Sequence, residues 1–374
     1  MEGFTMINEK RLLDNFLEYV QIDSETKNEK NMCDRMVADL QALGFEVQTD
    51  KAGEGFGSNG YNVHAYMPGE LGGEPTIFSA HLDTVKPGNG IKPIITDGVV
   101  HTDGSTILAG DDKCGVAAIM EAVQTIKENN IPCRNTEILF SIGEEGGMNG
   151  IKNMDWSMIK GKEAIVLDSS GDVGKVITCG PGQIKVIATI IGKTSHAGLA
   201  PENGISAIQV AAKGIANMNL LRIDEETTCN IGTIKAEYAT NIVPDKCEFI
   251  AEVRSRNLDK LNAQAAHIKD CLQAACDEMG AKLECQLMTN YVSFNVPEED
   301  ALVQRIKSSC DKLGYNFYTA KGGGGSDLNV MALQGVKGVV LGVGMTKVHT
   351  TEECIKIEDL NKTAKLCLDL MTSK

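Results

Sequence analysis

Residues 76–88 read TIFSAHLDTVKPG, an apolar run that ends in two polar groups, His81 and Asp83, before a turn marked by Pro87 and Gly88. The run has the length and make-up of a buried strand. Side chains two apart on a strand face the same way, so the imidazole and the carboxylate would sit side by side. A metal-ligating histidine commonly has such a neighbour, because its second ring nitrogen is usually held by a carboxylate. Read alone, the stretch also fits a turn with an ordinary, partly buried histidine. Whether other ligands occur in the chain decides between the two.

Four further stretches repeat the pattern. In ILAGDDKCGVAAIMEAV, Asp111 and Asp112 stand at the start of a helix, where capping and the helix dipole explain one acid but do not require both. In TEILFSIGEEGG, a core strand runs straight into Glu144 and Glu145; in AIVLDSSGDVG, another ends at Asp168. In GVVLGVGMTKVHTTEE, His349 follows the last strand by a short loop. Each has an unremarkable reading as a cap or a solvated loop. Together they place His81, Asp83, Glu144, Glu145 and Asp168 after strand carboxyl ends, where open α/β sheets bind ligands. The set suits two metals, each with one histidine and one terminal carboxylate, sharing a bridging carboxylate. Nitrogen and oxygen donors without thiolate suit two zinc ions per chain, with cobalt or manganese as alternatives. The glutamate doublet supplies one ligand and one base to take the proton of an attacking water.

The surrounding chain alternates helix and strand patterns. A helix over Glu29–Leu43 is closed by Gly44, strands are expected at 62–67, 76–80, 136–142 and 164–167, and a helix at Cys114–Glu128. This is the pattern of an α/β layered domain. Residues 183–291 read differently, as β-α-β-β-α-β, the split ferredoxin-like unit. Its second helix is expected at Asp259–Met279, capped by Asp259 and ended by Gly280. Helix Asp300–Leu313, strand GVVLGVG and helix Ile357–Met371 then return to the first style. The expected organisation is one α/β domain over 1–180 and 293–374, interrupted by an α+β domain over 181–292. A chain of 374 residues exceeds the roughly 250–300 that one core serves.

The formal charge of −15, without any Lys/Arg run, argues against a nucleic-acid partner. No apolar stretch approaches the ~20 residues of a membrane span, and the start MEGFTMINEKRLLDNFLEYVQ reads as an amphipathic helix rather than a signal peptide. The twelve cysteines lack any C-x-x-C and read as small, reduced core residues of a cytoplasmic protein.

The segments HLDTV, GDDK, GEEGG, Asp168, TSHAGLAPENGISAI, TNIVPDKCEFIAEVRS and GGGGSD, in this order, are similar to the di-zinc exopeptidase family of peptidase T, glutamate carboxypeptidase and aminoacylase. The resemblance is strongest to the peptidase T-like branch and spans nearly the whole chain. It implies a mixed-sheet α/β catalytic domain with an inserted ferredoxin-like lid that also dimerises. By resemblance, His81, Asp111, Glu145, Asp168 and His349 match the metal ligands, with Asp111 bridging. Asp83 matches the acid that orients His81, and Glu144 the general base. Asp112 is expected to cap the helix or bind Lys113. Aspartate at 168, where the family's carboxypeptidases carry glutamate, is the pattern of its aminopeptidases and dipeptidases.

His196 matches a lid histidine that in dimeric relatives reaches the neighbouring subunit's site and stabilises the oxyanion; its other reading is a plain loop histidine. Asn241 and Arg254 match residues that hold the substrate's far end. Arg254 suits a free carboxylate, or else a surface ion pair with Glu252 or Asp259. Gly324 and Ser326 fall in what the resemblance makes a substrate-side loop near the metals. His64, His101 and His267 match nothing and are expected to be structural. The implied activity is a metal-dependent aminopeptidase acting on short peptides, tripeptides among them. The alternatives are an amidohydrolase of N-acyl amino acids or a dipeptidase with the same metals, a non-catalytic peptide binder, for which Glu144 would be superfluous, and a two-metal phosphatase, disfavoured by the scarcity of basic residues beside the acids.

Overall fold

A computed structural model describes residues 7–373, so the first six residues of the expected amphipathic start lie outside the described chain; the helix itself runs Glu9–Val20. The chain forms two compact units. The first comprises the residues up to Cys179, Val296–Gly322, and the residues from Ser326 on; the second comprises Gly180–Asn295 with Gly323–Gly325.

The first unit is built on a mixed sheet in the order Val47–Thr49, Val63–Met67, Thr136–Ser141, Thr76–His81, Glu163–Ser169, Lys337–Gly342, Lys175–Gly180, with Tyr318–Lys321 beside the last. Thr76–His81 lies parallel to both of its neighbours, and Lys337–Gly342 is parallel to Glu163–Ser169. Thr76–His81 and Thr136–Ser141 are buried along their whole length. That is why they read as unbroken apolar runs rather than alternating ones. Register does the rest: His81 lies opposite Ser141, and Ser79 opposite Val166. Three carboxyl ends, bearing His81, the loop to Glu144 and Glu145, and Asp168, therefore come level at one edge.

Helix Gly110–Asn129 packs on this sheet and on helix Ile357–Thr372, with nearly all of its surface buried. It starts earlier than the expected Cys114, but Asp111 and Asp112 have non-helical dihedrals, so regular helix begins after them. A small antiparallel sheet of Ile94–Thr96, Val99–His101 and Ile355–Lys356 was not foreseen. The twelve cysteines are free thiols, most of them buried.

The second unit is an antiparallel sheet ordered Leu221–Arg222, Thr227–Lys235, Lys246–Ser255, Gly182–Ile191, Lys282–Tyr291. Along the central strand Ile184, Val186, Ala188 and Ile190 alternate inward. They meet Leu261, Ala265, Ile268 and Leu272 of helix Leu258–Met279, and Val210 and Ala211 of helix Ala207–Ala216. The order of elements is the expected β-α-β-β-α-β with one added two-residue edge strand. The long helix is capped by Asn257, whose side chain accepts from Lys260 N, and not by Asp259, which lies inside the first turn; it ends as expected at Gly280, with φ 73°. No helix among the described residues is long and apolar enough to cross a membrane.

Candidate metal centre

His81 closes its strand fully buried, with Nε2 3.1 Å from Asp111 Oδ1 and 3.8 Å from Asp168 Oδ1. His349 stands opposite, its Nε2 3.3 Å from Asp111 Oδ2 and 2.8 Å from Glu145 Oε1. Asp111 thus offers one oxygen to each histidine, with Asp168 beyond the first and Glu145 beside the second. The candidate ligand atoms of His81, Asp111 and Glu145 lie within 4.8 Å of one another, as do those of His81, Asp112 and Asp168. All seven residues expected at the centre, Asp83 and Glu144 included, belong to the first unit.

The supports differ in one respect from expectation. His81 Nδ1 is held at 2.9 Å by the main-chain carbonyl of Asp83, while the Asp83 carboxylate stands farther off, at 3.5 Å. That carboxylate serves the neighbouring loop instead. It accepts the N–H of Glu144 at 2.9 Å, the N–H of Glu145 at 3.2 Å and the Thr26 hydroxyl at 2.7 Å. The pair of residues at 81 and 83 therefore fixes the ring by one group and the glutamate doublet by the other. Asp112 accepts the main-chain N–H of His81 at 3.2 Å, and its other oxygen lies over the first helical turn at Gly115, where a Cβ would come within 2.4 Å. It does not bind Lys113, whose amine donates to Ile22 O at 2.8 Å.

Electrostatics here favour positive charge. Burial opposes protonation of His81, yet the Asp111 carboxylate bonded to it and the nearby carboxylates of Asp83 and Asp168 outweigh that and hold its pKa well above the ordinary value. Asp111 and Glu145 push His349 up to about 10. Burial raises the carboxyls of Asp168 and Glu144 far above the usual range, and for Glu144 the charge of Asp168 adds to it. Packed acids that stabilise imidazolium would stabilise divalent cations equally, and the nitrogen and oxygen donor set matches zinc-class ions. The residues fit a two-metal site.

One residue near the centre was given no role by the sequence reading. Asp327, buried at the start of helix Asp327–Leu333, accepts from the Ser141 hydroxyl, and burial pushes its carboxyl up to about 6. Its only sequence signal was an acid closing GGGGSD, read as loop. Ser326, expected at a substrate-side loop, is the N-cap of that helix, and its N–H donates to Asn329 Oδ1 at 2.9 Å. Gly324 falls with the second unit.

His196, Asn241 and Arg254 all lie in the second unit, but not together. The loops of His196 and Asn241 are neighbours, since Ala197 N donates to Asn241 O at 2.9 Å and His196 bridges Ile242. Arg254 lies at the other end of the sheet: it is registered with Gln183, whereas Lys246, just after the Asn241 loop, is registered with Ile191. Asn241 and Arg254 thus lie toward opposite ends of the second unit's sheet. Arg254 grips Glu252 with two nitrogens, at 2.9 and 3.2 Å, and has no ion pair with Asp259. His196 is exposed, and its Nδ1 accepts the N–H groups of Gly198 and Leu199 at 3.1 and 3.2 Å. The other three histidines are partnered away from this centre, with His64 against Glu137, His101 against Thr96 and Thr102, and His267 against Asn219.

The profile of Peptidase family M20/M25/M40 matches residues 77–373. The chain is 43% identical over 366 residues to the Bacillus subtilis protein YqjE, covering 98% of this chain and 99% of that one. Among solved structures, aminopeptidase PepT from Bacillus cereus is 43% identical with a TM-score of 0.91, covering 98% of this chain and 99% of the other. A tripeptidase from Staphylococcus aureus is 38% identical with a TM-score of 0.92, covering 98% of each chain. Agreement of this extent, over sequence and fold alike, makes the chain a member of peptidase family M20/M25/M40.

Proposed function

We propose that this peptidase is a cytoplasmic, di-zinc exopeptidase that removes the N-terminal residue from short peptides. The observation that carries the reading is Asp111, with one oxygen toward His81 and the other toward His349. His81 and Asp168 would hold one ion, His349 and Glu145 the other, and Asp111 would be shared. Such a pair of ions, when bound, polarises the scissile carbonyl and lowers the pKa of water. Glu144 takes the proton of the attacking water and returns it to the departing amine. Its placement follows from its main-chain N–H, pinned to Asp83.

The second unit supports a composite site. From Gln183 to Ile191 the central strand spans roughly 26 Å at about 3.3 Å per residue. A tripeptide reaches only about 10 Å, too short to touch both ends of one lid. We assign Arg254 to the substrate's free carboxylate in its own subunit. His196 and Asn241 would act in the site of the second subunit of a homodimer joined through the lids. Because Nδ1 of His196 accepts two main-chain donors, its proton sits on Nε2, which then donates to a developing oxyanion.

The experiment is a digestion of tripeptides with free and N-acetylated amino termini, with mass readout, alongside elemental analysis. Release of the first residue from free-amine peptides, with about two zinc-class ions per chain, is expected. Preference for N-acetyl substrates would instead identify an amidohydrolase on the same centre.

A further inference from the structure

We infer that Glu353 is a positioning residue of the metal centre. Its buried carboxylate seats the loop that delivers Asp111 and ties it to the loop that delivers His349. The inference rests on the di-metal reading above.

Glu353 is 1% exposed. Its Oε2 accepts the N–H groups of Leu108 at 3.0 Å and Ala109 at 2.9 Å, and its Oε1 accepts that of Asp111 at 2.8 Å. The chain is shaped for this contact. Ala109 is left-handed, with φ 58° and ψ 30°, so successive N–H groups turn to one side and form a concave anion nest at the helix start. Gly110 lies beneath it, where a Cβ would come within 3.1 Å of Glu353 Oε1. The nest is filled by the protein's own carboxylate. Asp111, the last of its donors, is left with its side chain spanning from His81 to His349.

The other end of the tie is the loop around His349, four residues earlier. That loop is closed by Glu353 N to Thr350 O at 3.1 Å and by the paired main chains of Thr346 and Cys354, at 3.0 and 3.1 Å. It continues into Ile355–Lys356, which pairs with Val99–His101 ahead of the Asp111 loop. His349 sits at φ 63°, a conformation that a non-glycine residue keeps only when its surroundings dictate it. One carboxylate thus fixes the main chain of the shared ligand and anchors the turn that carries the most exposed one. Since Asp111 serves both ions, loss of Glu353 should weaken both, whereas loss of Asp168 or Glu145 should weaken one.

The test uses the full chain stripped with chelator and titrated calorimetrically with zinc alone. Glu353→Gln keeps the shape but sets an amide N–H₂ against a main-chain N–H. Both zinc-binding steps are expected to weaken by about 10- to 100-fold, as for other groups that support ligands. Hydrogen exchange at the amides of Leu108, Ala109 and Asp111 should quicken, while Glu352→Gln, on the exposed neighbouring residue, should leave both readouts unchanged. Glu353→Gln chains that melt like the unaltered stripped protein but bind both ions equally well would overturn the inference. So would weakening of one step alone. An unaltered chain that binds no zinc would fail earlier and differently, overturning the di-metal reading itself.

Discussion

Changing Asp83 to Asn separates the two tasks its backbone and side chain perform. The carboxylate accepts from Glu144 N and Glu145 N and from the Thr26 hydroxyl. An asparagine keeps one oxygen, so its amide nitrogen must face one of the two main-chain N–H groups. The Thr26 hydroxyl can turn to accept; an N–H cannot. One buried donor therefore loses a hydrogen bond to a charged acceptor, worth about 1.5–3 kcal/mol. At about 2–4 °C per kcal/mol for a large domain, Asp83→Asn in chelator should melt roughly 3–12 °C below the unaltered chain. Turnover should fall further than stability suggests, because the loop that moves carries Glu144, and a misplacement of about 1 Å can cost about 10²-fold. Zinc content after reloading should stay near normal, since His81 Nδ1 is held by the Asp83 carbonyl, which the substitution leaves in place. Differential scanning calorimetry, steady-state kinetics and elemental analysis read the three quantities. A variant with unchanged melting and turnover, or one that keeps its melting temperature but loses zinc, would refute this division of labour.

Glu144→Ala should retain both ions and lose about 10²- to 10⁴-fold in turnover, whereas Asp168→Ala should lose one ion; metal counts that reverse these results would exchange the two roles. Arg254→Ala should raise KM for peptides with free C-termini and leave amidated ones little changed. Glu252→Gln, which releases the guanidinium from its present partner, should lower KM for the free peptides. Tagged heterodimers that combine Glu144→Ala with His196→Ala chains should regain activity absent from either parent, because one of their two sites draws both intact residues. Heterodimers as inactive as the parents, with metals bound, would place His196 in its own subunit's site.

The buried strands and the acids at their ends were legible because a strand covered on both faces leaves a continuous apolar run, and a polar group closing such a run needs a reason. His349 follows the last strand by a short loop, whereas Asp111 opens a helix, where it reads as a cap, and only the family resemblance makes it the shared ligand. The short pairings were not legible: Leu221–Arg222 and the small sheet of Ile94–Thr96 are exposed and carry no alternation. The cap of the long lid helix was misread because Asn257 and Asp259 are both good caps, and only the local dihedrals choose between them. The segment TNIVPDKCEFIAEVRS contains both Asn241 and Arg254, and the extended strand Lys246–Ser255 between them is enough to carry them to opposite ends of the sheet. Glu353 was passed over because nothing in HTTEE distinguishes a glutamate that turns inward from its exposed neighbour Glu352.

The discontinuity of the first unit bears on how the protein is made. A nascent chain that has emerged as far as Asn295 already holds His81, Asp111, Glu145 and Asp168, and it holds the whole contiguous run of the second unit apart from Gly323–Gly325. It lacks Lys337–Gly342, the strand that sits between Glu163–Ser169 and Lys175–Gly180. It also lacks helix Ile357–Thr372, which covers the helix bearing Asp111. Contiguous domains fold as units as they emerge, so the inserted unit can finish first while the centre of the sheet stays open. His349 and Glu353 lie later in the chain still. A chain held or cut at Asn295 therefore has the first histidine of the candidate centre without the second.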